Sequence, residues 1–256
     1  MADQSPSLPP RMSPRRKLVS AVLVLVALAI LLSLGTWQVQ RLHWKEQLLA
    51  QMEARRQAAP VELVDAETAL KTGQDQEYLR VRVEGVFDHT KERHFFATDA
   101  GRTGFYVYTP LRLADRRELF VNRGFVPYDL KQADKRQAGE VQGTVALTGY
   151  LRNRLEGKPS SLVPDNDLQK NIFYWKDWTA MVRSTNLDPV NVVPFFVDAD
   201  DAVQPPGGWP KAGVTQFELP NNHLQYAVTW YGLAAALVGV SLAMVFRRRK
   251  DDPTGR

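Results

Sequence analysis

Two long apolar runs, one near each end of the chain, dominate its pattern of hydrophobic and polar positions. Residues 18–36 form 19 consecutive positions without a charge, and residues 226–246 form 21. A helix needs about 20 residues to cross the hydrocarbon core of a bilayer. The pattern therefore predicts transmembrane helices at 18–36 and 226–246, with a separate domain over residues 37–225.

Between the two runs, the pattern changes to short strands. Residues 78–87 alternate between apolar and charged side chains, as a half-buried strand does. Further strands are predicted at 93–98, 104–113, 118–126, 145–151 and 192–197, and helices at 41–56, 62–70 and 177–183. Because the strands are short and joined by turns, we predict an α+β domain dominated by antiparallel β-sheet.

The charges of the chain concentrate at its ends. The chain has 33 Lys and Arg against 28 Asp and Glu, but its predicted basic tails, 1–17 and 247–256, together hold nine basic and three acidic residues. A nucleic-acid-binding protein would carry its basic residues on a folded domain, so no nucleic acid is expected as a partner. The positive-inside rule predicts that both tails are cytoplasmic and that residues 37–225 lie across the membrane.

A cleaved signal peptide is the alternative interpretation of the first run, since basic residues precede it. The run exceeds the roughly 7–15 apolar residues of a signal peptide, so we favour an uncleaved anchor. The chain has no Cys, which excludes a lipoprotein anchor, a disulfide framework and thiolate metal sites. No Arg-rich and Ser-rich amphipathic presequence precedes the run, so a bacterial inner membrane is the expected location.

Candidate catalytic chemistry is sparse in this sequence. It has no Gly-x-Ser-x-Gly, phosphate-binding loop, Rossmann fingerprint or His-Glu-x-x-His segment. His89 and His94 are five residues apart, which on strands means opposite faces; we expect exposed turn residues, not a metal pair. Asp198, Asp200 and Asp201 are expected to form a solvated turn.

The start of the second apolar run carries a more specific pattern. His223 and Trp230 are seven residues apart, so on a helix they share a face to within about 20° and lie roughly 10 Å apart along the axis. Tyr226 and Ala227 fill the space between them. The alternative to a binding site is an interfacial histidine within the aromatic belt of a membrane protein.

Small residues predict how the two membrane helices pair. The second run carries Ala235, Gly239 and Ala243 at a spacing of four, and the first carries Ala29 and Ser33. Such stripes permit close approach of helix backbones. We therefore expect these two faces to meet.

Three segments of the sequence, in this order, resemble the surfeit locus protein one family. They are Gly35-x-Trp37-Gln38-x-x-Arg41-x-x-Trp44-Lys45, Val121-Asn122-Arg123-Gly124-Phe125-Val126-Pro127 and Asn221-Asn222-His223-Leu224-x-Tyr226-Ala227-x-Thr229-Trp230. At Phe125 the family commonly has Trp, which is also a large aromatic residue. The resemblance spans nearly the whole chain, and it supports an uncleaved first anchor because the first segment continues that helix.

The resemblance implies an assembly factor for cytochrome c oxidase, not an enzyme. Bacterial members of the family are similar to chaperones that bind haem a and favour its insertion into the oxidase catalytic subunit. That subunit and haem A synthase are the partners implied. The resemblance also implies that His223 is the axial ligand of the haem iron, with Trp230 and Tyr226 beside the cofactor, and histidine is a common axial ligand.

Two further expectations concern the same site. The second ring nitrogen of His223 should be held by an acceptor, for which Asn222, Gln225 or a backbone carbonyl is the candidate. His43, on the first helix, is the next candidate ligand.

Two other functions remain open from the sequence. A membrane-anchored scaffold would hold oxidase subunits without binding the cofactor. A membrane-anchored hydrolase is the third interpretation, and the absence of a nucleophile motif counts against it.

Overall fold

The computed structural model describes residues 13–202, 204–217 and 220–250, without the side chains of 248–250. The outermost residues of both predicted basic tails, 1–12 and 251–256, lie outside this description. The chain divides into two compact units. One is a helix pair drawn from both ends of the chain, and the other is a β-rich domain over residues 51–217.

The helices and strands of the described residues follow the predicted order. The α-helices are α1 (Pro14–Gln57), α2 (Leu63–Lys71), α3 (Trp178–Ser184) and α4 (His223–Lys250). The strands are β1 (Val61–Glu62), β2 (Arg80–Phe87), β3 (Arg93–Asp99), β4 (Arg102–Leu113), β5 (Glu118–Pro127), β6 (Thr144–Asn153) and β7 (Val192–Ala199). The predicted fold class, two membrane-capable helices flanking a β-rich α+β domain, is confirmed.

Helix α1 is a single helix of 44 residues. It continues beyond the first apolar run because residues 41–56 lack Gly and Pro and are rich in helix-forming residues. Pro60 follows its end, as predicted. Both α1 and α4 contain a stretch long and apolar enough to cross a membrane.

The sheet of the β-rich domain closes into a barrel. Its strand order is β1-β2-β6-β7-β5-β4-β3, and an additional pairing of β2 with β4 joins the two sides. Most neighbouring strands are antiparallel, as predicted. The pairs β1–β2 and β5–β7 are parallel. The connection through α2 leads from β1 to the start of β2, and the long connection that contains α3 leads to the start of β7 beside β5.

Alternation along β5 places its successive side chains in different apolar clusters of the domain. Leu119 and Val121 of β5 belong to the main core, together with residues of β2, β4, β6 and β7. Phe120, between them, packs with Trp178 and Met181 of α3 in a second cluster. Strand β5 is therefore buried on both faces along its whole length.

Helix α3 begins where the sequence predicts. The side chain of Asp177 accepts a hydrogen bond from the backbone N–H of Ala180 at 2.9 Å. This bond satisfies one of the free N–H groups at the helix start.

The expectation that His89 and His94 are exposed is wrong. Both lie in a buried polar cluster around Glu92, which accepts hydrogen bonds from Arg123 at 3.0 Å and from Arg136. His89 accepts a bond from Arg123 through Nδ1 at 3.0 Å. Burial, partly opposed by the charge of Glu92, lowers the pKa of His94 to about 4, so its ring is neutral.

The expectation of a solvated acidic turn is wrong for two of its three residues. Asp198 is buried and accepts hydrogen bonds from Asn122 and Arg152, both at 3.0 Å. Asp200 is also buried and pairs with Arg80 at 3.0 Å. Asp201 is exposed, as expected.

Candidate functional site

The candidate site lies at the start of α4, where His223 is the first helical residue. The backbone carbonyl of Asn222 accepts a bond from the N–H of Tyr226 at 3.2 Å and closes the first helical turn. His223 is half-buried. It is also the first residue of the membrane-capable stretch of α4.

The imidazole of His223 is held by α1. Its Nδ1 lies 2.7 Å from Oε1 of Gln38, a side chain that is only 8% exposed. An amide oxygen only accepts hydrogen bonds, so Nδ1 carries a proton, and in the neutral imidazole Nε2 then keeps its lone pair. The expected acceptors were Asn222, Gln225 or a backbone carbonyl. That expectation is wrong, because the acceptor comes from the other helix.

The structure brings His223 and Trp230 onto one face of α4. Ala227 and Ala234, on the same face, are buried in the helix pair, and Trp230 is half-buried. Tyr226 is 54% exposed and lies on the flank of this face, about 60° around the helix from His223. Of the three predicted site residues, Tyr226 is therefore the most open to the surroundings.

A second contact joins the two helices further along. The hydroxyl of Thr36 donates to the carbonyl of Leu32 at 2.9 Å. It can then accept from the hydroxyl of Tyr231, which lies 3.1 Å away. A Cβ atom added to Gly35 would lie 2.9 Å from the ring of Tyr231. Gly35 therefore permits the close approach of α1 and α4.

The predicted pairing of the small-residue stripes is wrong. Ala235, Gly239 and Ala243 are exposed, as are Ala29 and Ser33, and a Cβ at Gly239 would meet nothing within 4 Å. The small residues of α4 that are buried are instead Ala227 and Ala234. Neighbouring residues on a helix lie 100° apart around its axis, so Ala234 and Ala235 point to different sides of α4. The contacts of His223 and Tyr231 fix which side of α4 faces α1.

His43, the second candidate ligand, is exposed on α1. It follows Gln38 by five residues, which places it about 140° around the helix from that side chain. The side of α1 that holds His223 is therefore not the side that carries His43.

Aromatic and basic side chains follow the site along α1. The guanidinium of Arg41 stacks on the ring of Trp44 at 3.8 Å, and Trp37 and Trp44 are both about half exposed. Lys45 donates a hydrogen bond to the carbonyl of Pro220. Such residues are typical of the boundary between a bilayer and water.

Comparison with known families decides the identity of the chain. The sequence model of the SURF1 family matches residues 25–235. The chain belongs to the SURF1 family. The matched range includes Gln38, His223 and Trp230, and it confirms the resemblance stated from the sequence.

Several SURF1 relatives are similar over most of their length. Surfeit locus protein 1 of Rattus norvegicus is 41% identical over 219 residues, which cover 79% of this chain and 68% of the relative. Surfeit locus protein 1 of Homo sapiens is 40% identical over 220 residues, covering 79% and 70%. A SURF1-like protein of Drosophila melanogaster is 34% identical over 222 residues, covering 79% and 70%.

Sequence reasoning missed three residues of this site, Gln38, Gly35 and Tyr231. Gln38 and Gly35 stand in a quoted family segment, at the end of the first apolar run. A polar amide at the edge of a membrane helix is costly to bury unless it is hydrogen-bonded. That cost is the signal that could have indicated a partner for Gln38.

Proposed function

We propose that this SURF1 protein is an assembly factor for haem–copper cytochrome c oxidase, not an enzyme. In this proposal it binds haem a transiently through His223 and favours insertion of the cofactor into the oxidase catalytic subunit. The observation that supports it best is the bond from Nδ1 of His223 to Gln38. Metal-binding histidines almost always donate their other N–H to such an acceptor.

The residues present fit a porphyrin. One imidazole offers one bond to a metal, and a haem iron requires only an axial ligand because the ring supplies four nitrogens. Nε2 of His223 is the atom that would bind, with Trp230 and Tyr226 flanking the ring. Haem a supplies the redox-active iron, and the protein orients the imidazole and offers an apolar surface. A farnesylated porphyrin favours such a place, since its tail partitions into lipid.

The proposal includes a location. We place the chain in a bacterial inner membrane, with both termini cytoplasmic and residues 37–225 in the periplasm, on the basis of the basic residues outside both apolar runs. The oxidase catalytic subunit and haem A synthase are the proposed partners. The synthase produces haem a and the catalytic subunit receives it, so contact with both within the membrane would shorten the distance over which haem a is transferred.

The test is the haem content of the full-length protein. Protein purified from cells that make haem a should carry haem with a Soret band, compared at matched protein levels. His223→Ala should lose the haem, because no other imidazole is held in the same way on α4. Trp230→Phe should lose less, because it keeps an apolar ring. His43→Ala is the matched control and should retain the wild-type content, since His43 is exposed on another side of α1.

Two outcomes would change the proposal. If His223→Ala keeps its haem with an unchanged spectrum, the ligand assignment is wrong, and loss in His43→Ala would reassign it. If the wild-type protein binds no haem while its deletion still lowers oxidase assembly, the scaffold function replaces the chaperone function.

A further inference from the structure

We infer that Gln38 is a positioning residue, which holds His223 in the neutral tautomer that leaves Nε2 free to bind iron. The inference rests on the proposed function, because it concerns the same haem site and adds a residue of α1 to it. A neutral imidazole carries its proton on Nδ1 or on Nε2, and only the nitrogen without the proton can bind a metal. The bond to Gln38 selects the form with the proton on Nδ1.

The burial of Gln38 supports this role. Its side chain is 8% exposed within the helix pair, and its oxygen lies 2.7 Å from Nδ1 of His223. A buried amide without a hydrogen-bond partner is destabilising, so the bond to His223 stabilises both side chains. Gln40, two residues later on α1, is exposed and lies about 160° away around the helix.

The bond couples the ligand to helix pairing. Gln38 and His223 are 185 positions apart in the sequence and meet only because α1 packs against α4. The close approach at Gly35 permits this contact. The iron-binding nitrogen is therefore made available by the assembled pair, and not by α4 alone.

The first measurement needs no haem. The ring nitrogens of the four histidines can be observed by ¹⁵N nuclear magnetic resonance in the full-length protein in detergent, with His223→Ala to assign the signals. Wild type should show Nδ1 of His223 protonated and Nε2 with a free lone pair. Gln38→Leu should lose this preference, and the control Gln40→Leu should keep it. Wild-type protein with the proton on Nε2 would overturn the inference.

The second measurement is haem a binding by the same proteins. Gln38→Leu should bind about 10–100-fold more weakly, the range typical when a partner of a metal-binding histidine is removed. Gln40→Leu should bind as wild type does. Gln38→Glu should retain binding, because a carboxylate also accepts from Nδ1, and should lower the reduction potential of the bound haem by raising the basicity of the imidazole.

The outcomes separate the inference from the proposed function. If Gln38→Leu binds haem a with wild-type affinity and spectrum, Gln38 is not a positioning residue. If Gln38→Leu alters the tautomer but no variant and no wild-type protein binds haem, the positioning role stands and the proposed function fails. A lower reduction potential in Gln38→Glu, with normal folding, would support a direct effect of residue 38 on the imidazole of His223. A merely structural role would leave the reduction potential unchanged.

Discussion

Glu92 is a buried carboxylate of the β-rich domain that is paired with two charged partners, Arg123 and Arg136. Burial alone would raise its pKa, but the hydrogen bonds and positive charges of Arg136 and Arg123 outweigh burial and lower the pKa from 4.5 to about 2. The folded state therefore favours the ionised carboxylate. Its contribution to stability is present above pH 4.5 and is lost as the pH falls from 4.5 towards 2.

Glu92→Gln should destabilise the protein strongly. The substitution leaves the guanidinium groups of Arg123 and Arg136 buried without their shared carboxylate, and breaking a buried ion pair in this way costs about 3–5 kcal/mol. Thermal unfolding of the full-length chain in detergent at pH 7 measures the loss. Wild type should also lose roughly 3 kcal/mol between pH 4.5 and pH 2 through this group, and Glu92→Gln should lack that part of the acid sensitivity.

Glu84→Gln is the control for this prediction. Glu84 lies on the exposed face of β2, and surface substitutions usually change stability by less than about 0.5 kcal/mol. Equal effects of the two substitutions would contradict the role given to the buried cluster.

At the scale of elements, the pairing of α1 with α4 includes a close approach at Gly35. Gly35 leaves room for the ring of Tyr231, whose hydroxyl reaches Thr36. The bond between Gln38 and His223 lies one turn further along α1. The two contacts together set the rotation of both helices.

Gly35→Val should weaken the helix pair. The added side chain would overlap the ring of Tyr231, and such overpacking costs about 1–3 kcal/mol. Gly239→Val is the matched control, because a Cβ there meets nothing within 4 Å. We expect Gly35→Val to lower both the unfolding temperature and the haem content, while Gly239→Val changes neither. The reverse order would show that the small-residue stripe at 235, 239 and 243 forms the contact after all.

At the scale of the whole molecule, we expect a membrane to separate the basic ends of the chain from the β-rich domain. Arg15, Arg16 and Lys17 precede the first apolar run, and Arg247 follows the second. Basic residues next to membrane helices are retained in the cytoplasm. We therefore expect two crossings of the membrane, which would return the chain to its starting side.

This topology can be tested with a reporter enzyme that is active only in the periplasm. Inserted near Gly157, in an exposed loop of the β-rich domain, the reporter should be active. Fused after Arg256, it should be silent. Activity of the fusion after Arg256 would overturn the two-anchor topology, and silence at both positions would mean that the domain stays in the cytoplasm.

The sequence by itself determined the elements whose pattern is local. Alternation over residues 78–87 predicted Val81 and Val83 on the buried face of β2, because successive side chains of a strand point to opposite sides. The two uncharged runs predicted both membrane-capable helices. His223 and Trp230 were predicted on one face because seven residues complete almost two helical turns.

Only the tertiary structure decided which distant residues meet. Asn122 and Asp198 bond across 76 positions, and Gln38 and His223 across 185. No local period reports such pairs, which is why the sequence predicted a solvated turn at residues 198, 200 and 201. The choice of Ala234 over Ala235 as the buried residue of α4 has the same origin. Both faces carry small residues, and contacts made by the other helix select the rotation of α4.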